Sequence, residues 1–229
     1  MFPPNEMERL LHEIAELNTT FFPAYPIVAL IGITLTALCY FRPSTAVSKL
    51  MKAFLALIYA MIAYGVAVCA FHLRGIYYIF TATTHSAVAI MLAVSVFKDE
   101  VQFALPAQRD LRILSIVLTI YGIFIYPLVE LLLGYRWPEI FVFPSLCPAT
   151  VFAEGVLIAA IQDAHKSKLY KWLLGILSTG AVVCATRTIL IGGIFDLSYL
   201  ASGIVGFYAL LKYSKGVPSA SVTSEYVPQ

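Results

Sequence analysis

The chain has 229 residues, 60% of them hydrophobic and 12% charged, with a formal net charge of +2. A soluble domain is about half apolar and about one quarter charged, so a purely aqueous globule is excluded and part of the solvent must be lipid. Basic residues are too few and too interfacial for nucleic-acid binding.

In chain order, the first segment is MFPPNEMERLLHEIAELN. It is acidic and amphipathic, unlike a cleaved signal peptide with its basic start and apolar middle. Leu10, Leu11, Ile14 and Leu17 recur at helical spacing, with Glu6, Glu8, Glu13 and Glu16 on other faces. A short helix is expected here, lying on the outer surface or capping a bundle.

Seven apolar windows near transmembrane length follow, at Phe22–Phe41, Leu50–Leu73, Tyr77–Phe97, Leu111–Leu133, Ile140–Ile161, Trp172–Leu190 and Ile194–Leu211. Backbone polar groups in lipid need internal partners, so each window reads as a helix. The last two are separated by a short break at Gly192-Gly193; one merged span would bury Asp196 at its centre.

Basic residues alternate between sides. Arg42, Lys49 and Lys52 mark the first loop, Lys98, Arg109 and Arg112 the third, and Lys166, Lys168 and Lys171 the fifth, with Lys212 and Lys215 in the tail. The even loops hold only Arg74, Arg136 and, near the sixth, Arg187. The positive-inside rule places the basic side in the cytoplasm. The expected fold is all-α: a seven-helix bundle in the cell (plasma) membrane, N-terminus outside and C-terminus inside. Its parts are an extracytoplasmic segment over 1–21, a membrane domain over 22–212 and a polar cytoplasmic tail over 213–229. Seven spans do not divide into two halves, which weighs against an inverted-repeat transporter.

Ionisable groups inside membrane helices face the bundle interior or a wet cavity. His72 and Arg74 end span two, His85 lies within span three, Glu130 nears the outer end of span four, and Arg187 and Asp196 bracket the sixth loop. Together they define a candidate outward-facing polar pocket. Each also has a plainer reading: Arg187 with Asp196 as a structural ion pair, Arg74 reaching into the headgroups, His85 within a packing run of hydroxylated residues. Glu154, mid-span, calls for a hydroxyl or histidine partner, or for a proton-relay role.

The stretch GYRWPEIFVFPSLCPATVFAEGVL enters span five. Pro144 and Pro148 each lack a backbone donor, so the helix there starts late or kinks. Cys147 and Thr150 fall in its outer half. The four cysteines are scattered singly in apolar stretches, without metal-ligand spacing. His72 and His85, from adjacent helices, could ligate a haem or a metal ion. Span seven lacks a lysine, which excludes a retinal Schiff base there, and no P-loop, G-x-S-x-G, H-E-x-x-H or dinucleotide signature occurs.

Several motifs in order, ELNTTFFPAYPIVAL, AFHLR, YPLVELLLGYRWP, LCPATVF and TRTILIGGIFDLSYLASG, carry a resemblance across most of the chain. The sequence resembles a family of small prokaryotic membrane proteins known only as domain of unknown function 6064. The resemblance implies a polytopic membrane architecture and recurring polar positions at Asn18, His72, Cys147, Thr150 and Asp196. Two positions depart: Phe80, where asparagine is more usual, and Glu154, where an apolar residue is expected.

Three functions compete on these grounds. The pocket formed by His72, Arg74, His85, Glu130, Cys147, Thr150, Glu154, Arg187 and Asp196 could bind or pass a small polar solute or ion. The lack of a catalytic motif suits an accessory subunit, packed against other membrane subunits or a second copy within the bilayer. The histidine pair suits a haem-binding redox subunit.

Overall fold

The computed structural model describes residues 6–73, 76–98, 101–161 and 167–213. Its regular structure is helical throughout. Helix α1 spans Glu6–Phe21 and meets α2, Tyr25–Phe41, at an 82° bend across Phe22, Pro23 and Ala24. Proline at the start of α2 has a preset φ and needs no donor in the first turn. Helices α3 (Thr45–Leu73) and α4 (Ile76–Lys98) form a long hairpin packed along its length. Ser44 caps α3, its hydroxyl accepting from the Val47 N–H at 3.2 Å.

The fourth expected span is broken into α5 (Arg109–Ile120), a π turn (Tyr121–Ile125) and α6 (Tyr126–Leu132). Pro127 has no N–H to offer the preceding turn, and the Tyr126 N–H reaches back to the Tyr121 carbonyl instead. The wide turn also lets Gly122 press against α7 (Leu146–Ala159). A Cβ on Gly122 would stand 2.5 Å from the Pro148 carbonyl oxygen. Helices α8 (Lys168–Leu190) and α9 (Leu197–Tyr213) form a second hairpin, with a 3-10 turn at Ile194–Asp196. Gly192, at φ +105°, makes the reversal between them, so the break expected at the glycine pair is present.

Five helical segments are long and apolar enough to cross a membrane, or six if the bent pair α1–α2 counts as one span. The seven-crossing expectation is therefore met only in part. Helix α2 alone has 17 residues, and α7 has 14 because residues 140–145, with a turn at Phe143-Pro144, are not helical. The delayed start anticipated from Pro144 is what shortens α7.

Helix α7 sits at the centre. It packs against α3, α5, the π turn, α8 and α9, and every residue from Cys147 to Ala159 is buried. Tyr40 of α2 bonds Ser115 and Thr119 of α5 at 2.6 and 3.0 Å, and the Ser115 hydroxyl donates to the Gly155 carbonyl at 2.8 Å. At the opposite end from α1, Lys52 is buried rather than a loop charge, its ammonium 5.8 Å from the Phe103 ring centre. The expected amphipathic helix at the N-terminus caps the bundle. The tail beyond Tyr213 lies outside the described residues.

Candidate functional site

Helix α1 roofs a cavity of about 470 Å³. Leu10, Ile14, Leu17 and Phe21 reach into it from α1, and Met61, Ile62 and Val66 from α3; the starts of α2, α4 and α7 and the end of α8 close the rest. Gly65 keeps space open on the α3 side: among the described residues, a Cβ there would meet only the Leu17 side chain, at 3.8 Å. Most of the wall is hydrocarbon or aromatic ring, and its polar residues include Glu13, Asn18, Thr81, Cys147, Arg187 and Thr188.

The roof is tied down at both ends. Glu6, in the first turn of α1, forms an ion pair with Arg187, whose guanidinium also lies 5.3 Å from the Tyr78 ring centre. Near the other end of α1, the Asn18 amide nitrogen donates to the carbonyls of Pro138 and Ile140, each at 2.6 Å. From below the same loop, Glu130 accepts from the Phe141 N–H at 2.5 Å. The backbone of 138–141 is thus held by two buried polar side chains from different helices. The bonds Trp137–Pro138 and Phe143–Pro144 are cis.

Asp196 is fully buried and accepts from the Tyr126 hydroxyl. The rings of Tyr135 and Phe141 pack on Phe195 at 5.1 and 5.5 Å. Burial pushes the Tyr135 phenol up, and the nearby carboxyls of Glu130 and Asp196 add to the rise. The expected Arg187–Asp196 ion pair is not formed. The reversal at Gly192 carries Asp196 into the bundle toward Tyr126, while Arg187 faces α1.

Of the residues expected to make one pocket, Cys147 and Arg187 line the cavity; His85, Glu130, Thr150, Glu154 and Asp196 do not. His85 is buried, its Nδ1 2.6 Å from the Thr81 carbonyl and its ring stacked on Tyr59 at 5.7 Å. Thr150 accepts from the Tyr59 hydroxyl at 3.3 Å and donates to the Leu146 carbonyl at 2.9 Å. Glu154 is 0% exposed, and the hydroxyls of Ser178 and Ser202 are its polar neighbours, though neither makes a hydrogen bond of ordinary geometry to it among the described residues. Gly206 makes room for both Ser178 and Glu154: a Cβ there would stand 2.1 Å from Ser178 Oγ and 3.0 Å from Glu154 Oε1. The side chain of His72 and the whole of Arg74 lie outside the described residues. No group of three or more His, Cys, Asp or Glu side chains placed to hold a metal ion occurs among the described residues.

Sequence reading missed Tyr126, Ser145 and Thr188. Tyr126 precedes a mid-span proline, which was a signal for a distorted turn; Ser145 and Thr188 carried none, since single hydroxyls in apolar runs commonly bond their own helix.

The fold and cavity define an all-helical protein compatible with a membrane setting. The chain belongs to DUF6064, a family of unknown function, whose model matches residues 7–217. No curated protein and no solved structure matches the chain.

Proposed function

We propose that this chain is a multi-pass plasma-membrane protein that binds a small molecule in the cavity beneath α1, at the extracytoplasmic end of the bundle. The carrying observation is the cavity of about 470 Å³, a size typical of small-molecule sites, under a helix fastened by Glu6–Arg187 and Asn18. Convergent polar groups on a mainly apolar wall are the usual composition of such sites. The apolar wall widens the class of ligand beyond the small polar solute or ion that the ionisable residues alone suggest.

In this reading the chain crosses seven times, with its N-terminus outside. Lysines at alternate helix ends support the orientation. The short α2 is lengthened by its junction with α1, and α7 by the non-helical residues 140–145. Glu130 and Asp196 act as positioning residues that shape the cavity's floor and the loop beside it.

Native mass spectrometry on the chain isolated from its own membranes tests the proposal. A bound small molecule is expected on the parent and lost from Gly65→Leu, which fills the cavity from α3. Parent and variant carrying the same adducts, or none, would overturn it. Thiol labelling of Lys49→Cys and Lys168→Cys from one and the same compartment, opposite to Glu139→Cys, is the matching topology result.

A further inference from the structure

Glu154 is wholly buried where α7 packs against α8 and α9. Its polar neighbours, Ser178 of α8 and Ser202 of α9, are buried as deeply. The Ser178 hydroxyl has no hydrogen-bond partner among the described residues, and neither carboxyl oxygen of Glu154 has one of ordinary geometry. The Ser202 hydroxyl donates to the Tyr199 carbonyl at 2.9 Å, which leaves its lone pairs open. Gly206 of α9 leaves space for the Ser178 and Glu154 oxygens, which both lie against it. Three helices thus each bring an oxygen to one enclosed point.

No Lys, Arg or His side chain forms an ion pair with Glu154 among the described residues. A carboxylate enclosed in this way needs a counter-charge. Oxygens gathered without hydrogen bonds between them suit a hard cation, whereas a proton would need only one of them. A single carboxylate balances one positive charge. Divalent ions are commonly held by several carboxylates, and no cluster of acidic side chains that could hold one occurs among the described residues.

From this arrangement we propose that Glu154, Ser178 and Ser202 form a site for one monovalent cation, sodium or the smaller lithium, at the junction of α7, α8 and α9. The carboxylate neutralises the ion and the two hydroxyls complete the protein's share of its oxygen shell. Each serine can turn its oxygen toward the ion by rotation about a single bond. Cys147 lines the cavity beneath α1, and Thr150 and Glu154 follow it on the same face of α7, Glu154 about 10 Å deeper. The site is separate from the cavity and does not depend on what the cavity binds.

Dicyclohexylcarbodiimide, which modifies protonated carboxyls in apolar surroundings, tests the assignment on the full chain in phosphatidylcholine nanodiscs. Modification of Glu154 is followed by peptide mass spectrometry in sodium, lithium, potassium or choline chloride, at equal ionic strength and slightly acidic pH. Sodium and lithium are expected to slow it by about tenfold against choline when present at about ten times Kd, with potassium weaker. Ser178→Ala and Ser202→Ala should each raise the sodium concentration for half-protection by about tenfold. Thermal unfolding gives a second reading: sodium should raise the Tm of the parent over choline and leave that of Glu154→Gln unchanged. Modification equally fast in sodium and choline would mean that the carboxyl holds a proton only, and would overturn the site. So would a Glu154 that is never modified in a parent whose Tm ignores sodium. Protection unchanged in both serine variants would overturn their place in the ion's shell.

Discussion

Glu6 and Arg187, 181 positions apart in the chain, form an ion pair that ties the first turn of α1 to the last turn of α8. Both side chains are largely buried, at 18% and 16% exposure, so the pair differs from a surface contact that water and salt would screen. Replacing Glu6 by Gln leaves Arg187 short of its counter-charge beside the cavity. The expected result is a loss on the order of 1–3 kcal/mol and faster maleimide labelling of Ile14→Cys under α1. The charge exchange of Glu6→Arg with Arg187→Glu should recover most of both. An unchanged labelling rate in E6Q would show that the pair does not hold the roof.

Asn18 offers a test with a definite sign. Its amide nitrogen satisfies two carbonyls at once, so Asn18→Ala leaves Pro138 and Ile140 short of a donor, at about 1–3 kcal/mol. Asn18→Asp is nearly isosteric but turns an acceptor toward two acceptors, and it should be the worse variant at neutral pH. Thermal unfolding of the two variants side by side gives the order; Asp outperforming Ala would contradict the geometry.

Close helix contact makes three glycines unequal. A Cβ at Gly122 would meet the Phe152 amide nitrogen at 2.6 Å, and one at Gly155 the Thr119 nitrogen at 2.7 Å. Both neighbours are backbone, which cannot yield as a side chain can. Alanine at either position should cost about 3 kcal/mol or more. Among the described residues nothing lies within 4 Å of a Cβ at Gly180, and Gly180→Ala should be neutral or stabilising by up to about 1 kcal/mol. Detergent-resistant folding, followed by circular dichroism, ranks the three.

The Tyr126–Asp196 bond sets up a double-mutant cycle. Tyr126→Phe takes the nearest donor from a fully buried carboxyl that otherwise has only Thr188 and Cys147 beside it, and it should be more damaging than the pair Tyr126→Phe with Asp196→Leu. Equal losses would mean that Asp196 finds its main partner elsewhere.

Long apolar runs make the hairpins legible in the sequence. The runs at Leu50–Leu73, Tyr77–Phe97 and Trp172–Leu190 became α3 (Thr45–Leu73), α4 (Ile76–Lys98) and α8 (Lys168–Leu190). Helix extents differ at the starts because helices run on past the apolar core into polar turns. The π turn was not legible: Tyr121–Ile125 is as apolar as its flanks, and its widening depends on Pro127 together with the contact at Gly122. Partner choice was equally hidden. Proximity in sequence suggested Arg187 with Asp196, whereas the fold brings each a partner from far along the chain. Of the polar residues read as one pocket, Cys147 and Arg187 line the cavity, and most of the remaining wall is apolar or aromatic, of kinds any membrane helix contains.

Helix α7 carries one last consequence. From Cys147 to Ala159 it is enclosed by other helices, so its neighbours rather than acyl chains are its solvent. Hydropathy cannot tell such a pillar from a helix bathed in lipid, because both favour hydrocarbon. The difference shows in what each tolerates: a sheathed helix can carry Thr150 and Glu154, while size is policed residue by residue by the surrounding backbones. Substitutions along α7 should therefore be judged by volume and not by greasiness, the reverse of the rule for the outward faces of α2 and α4.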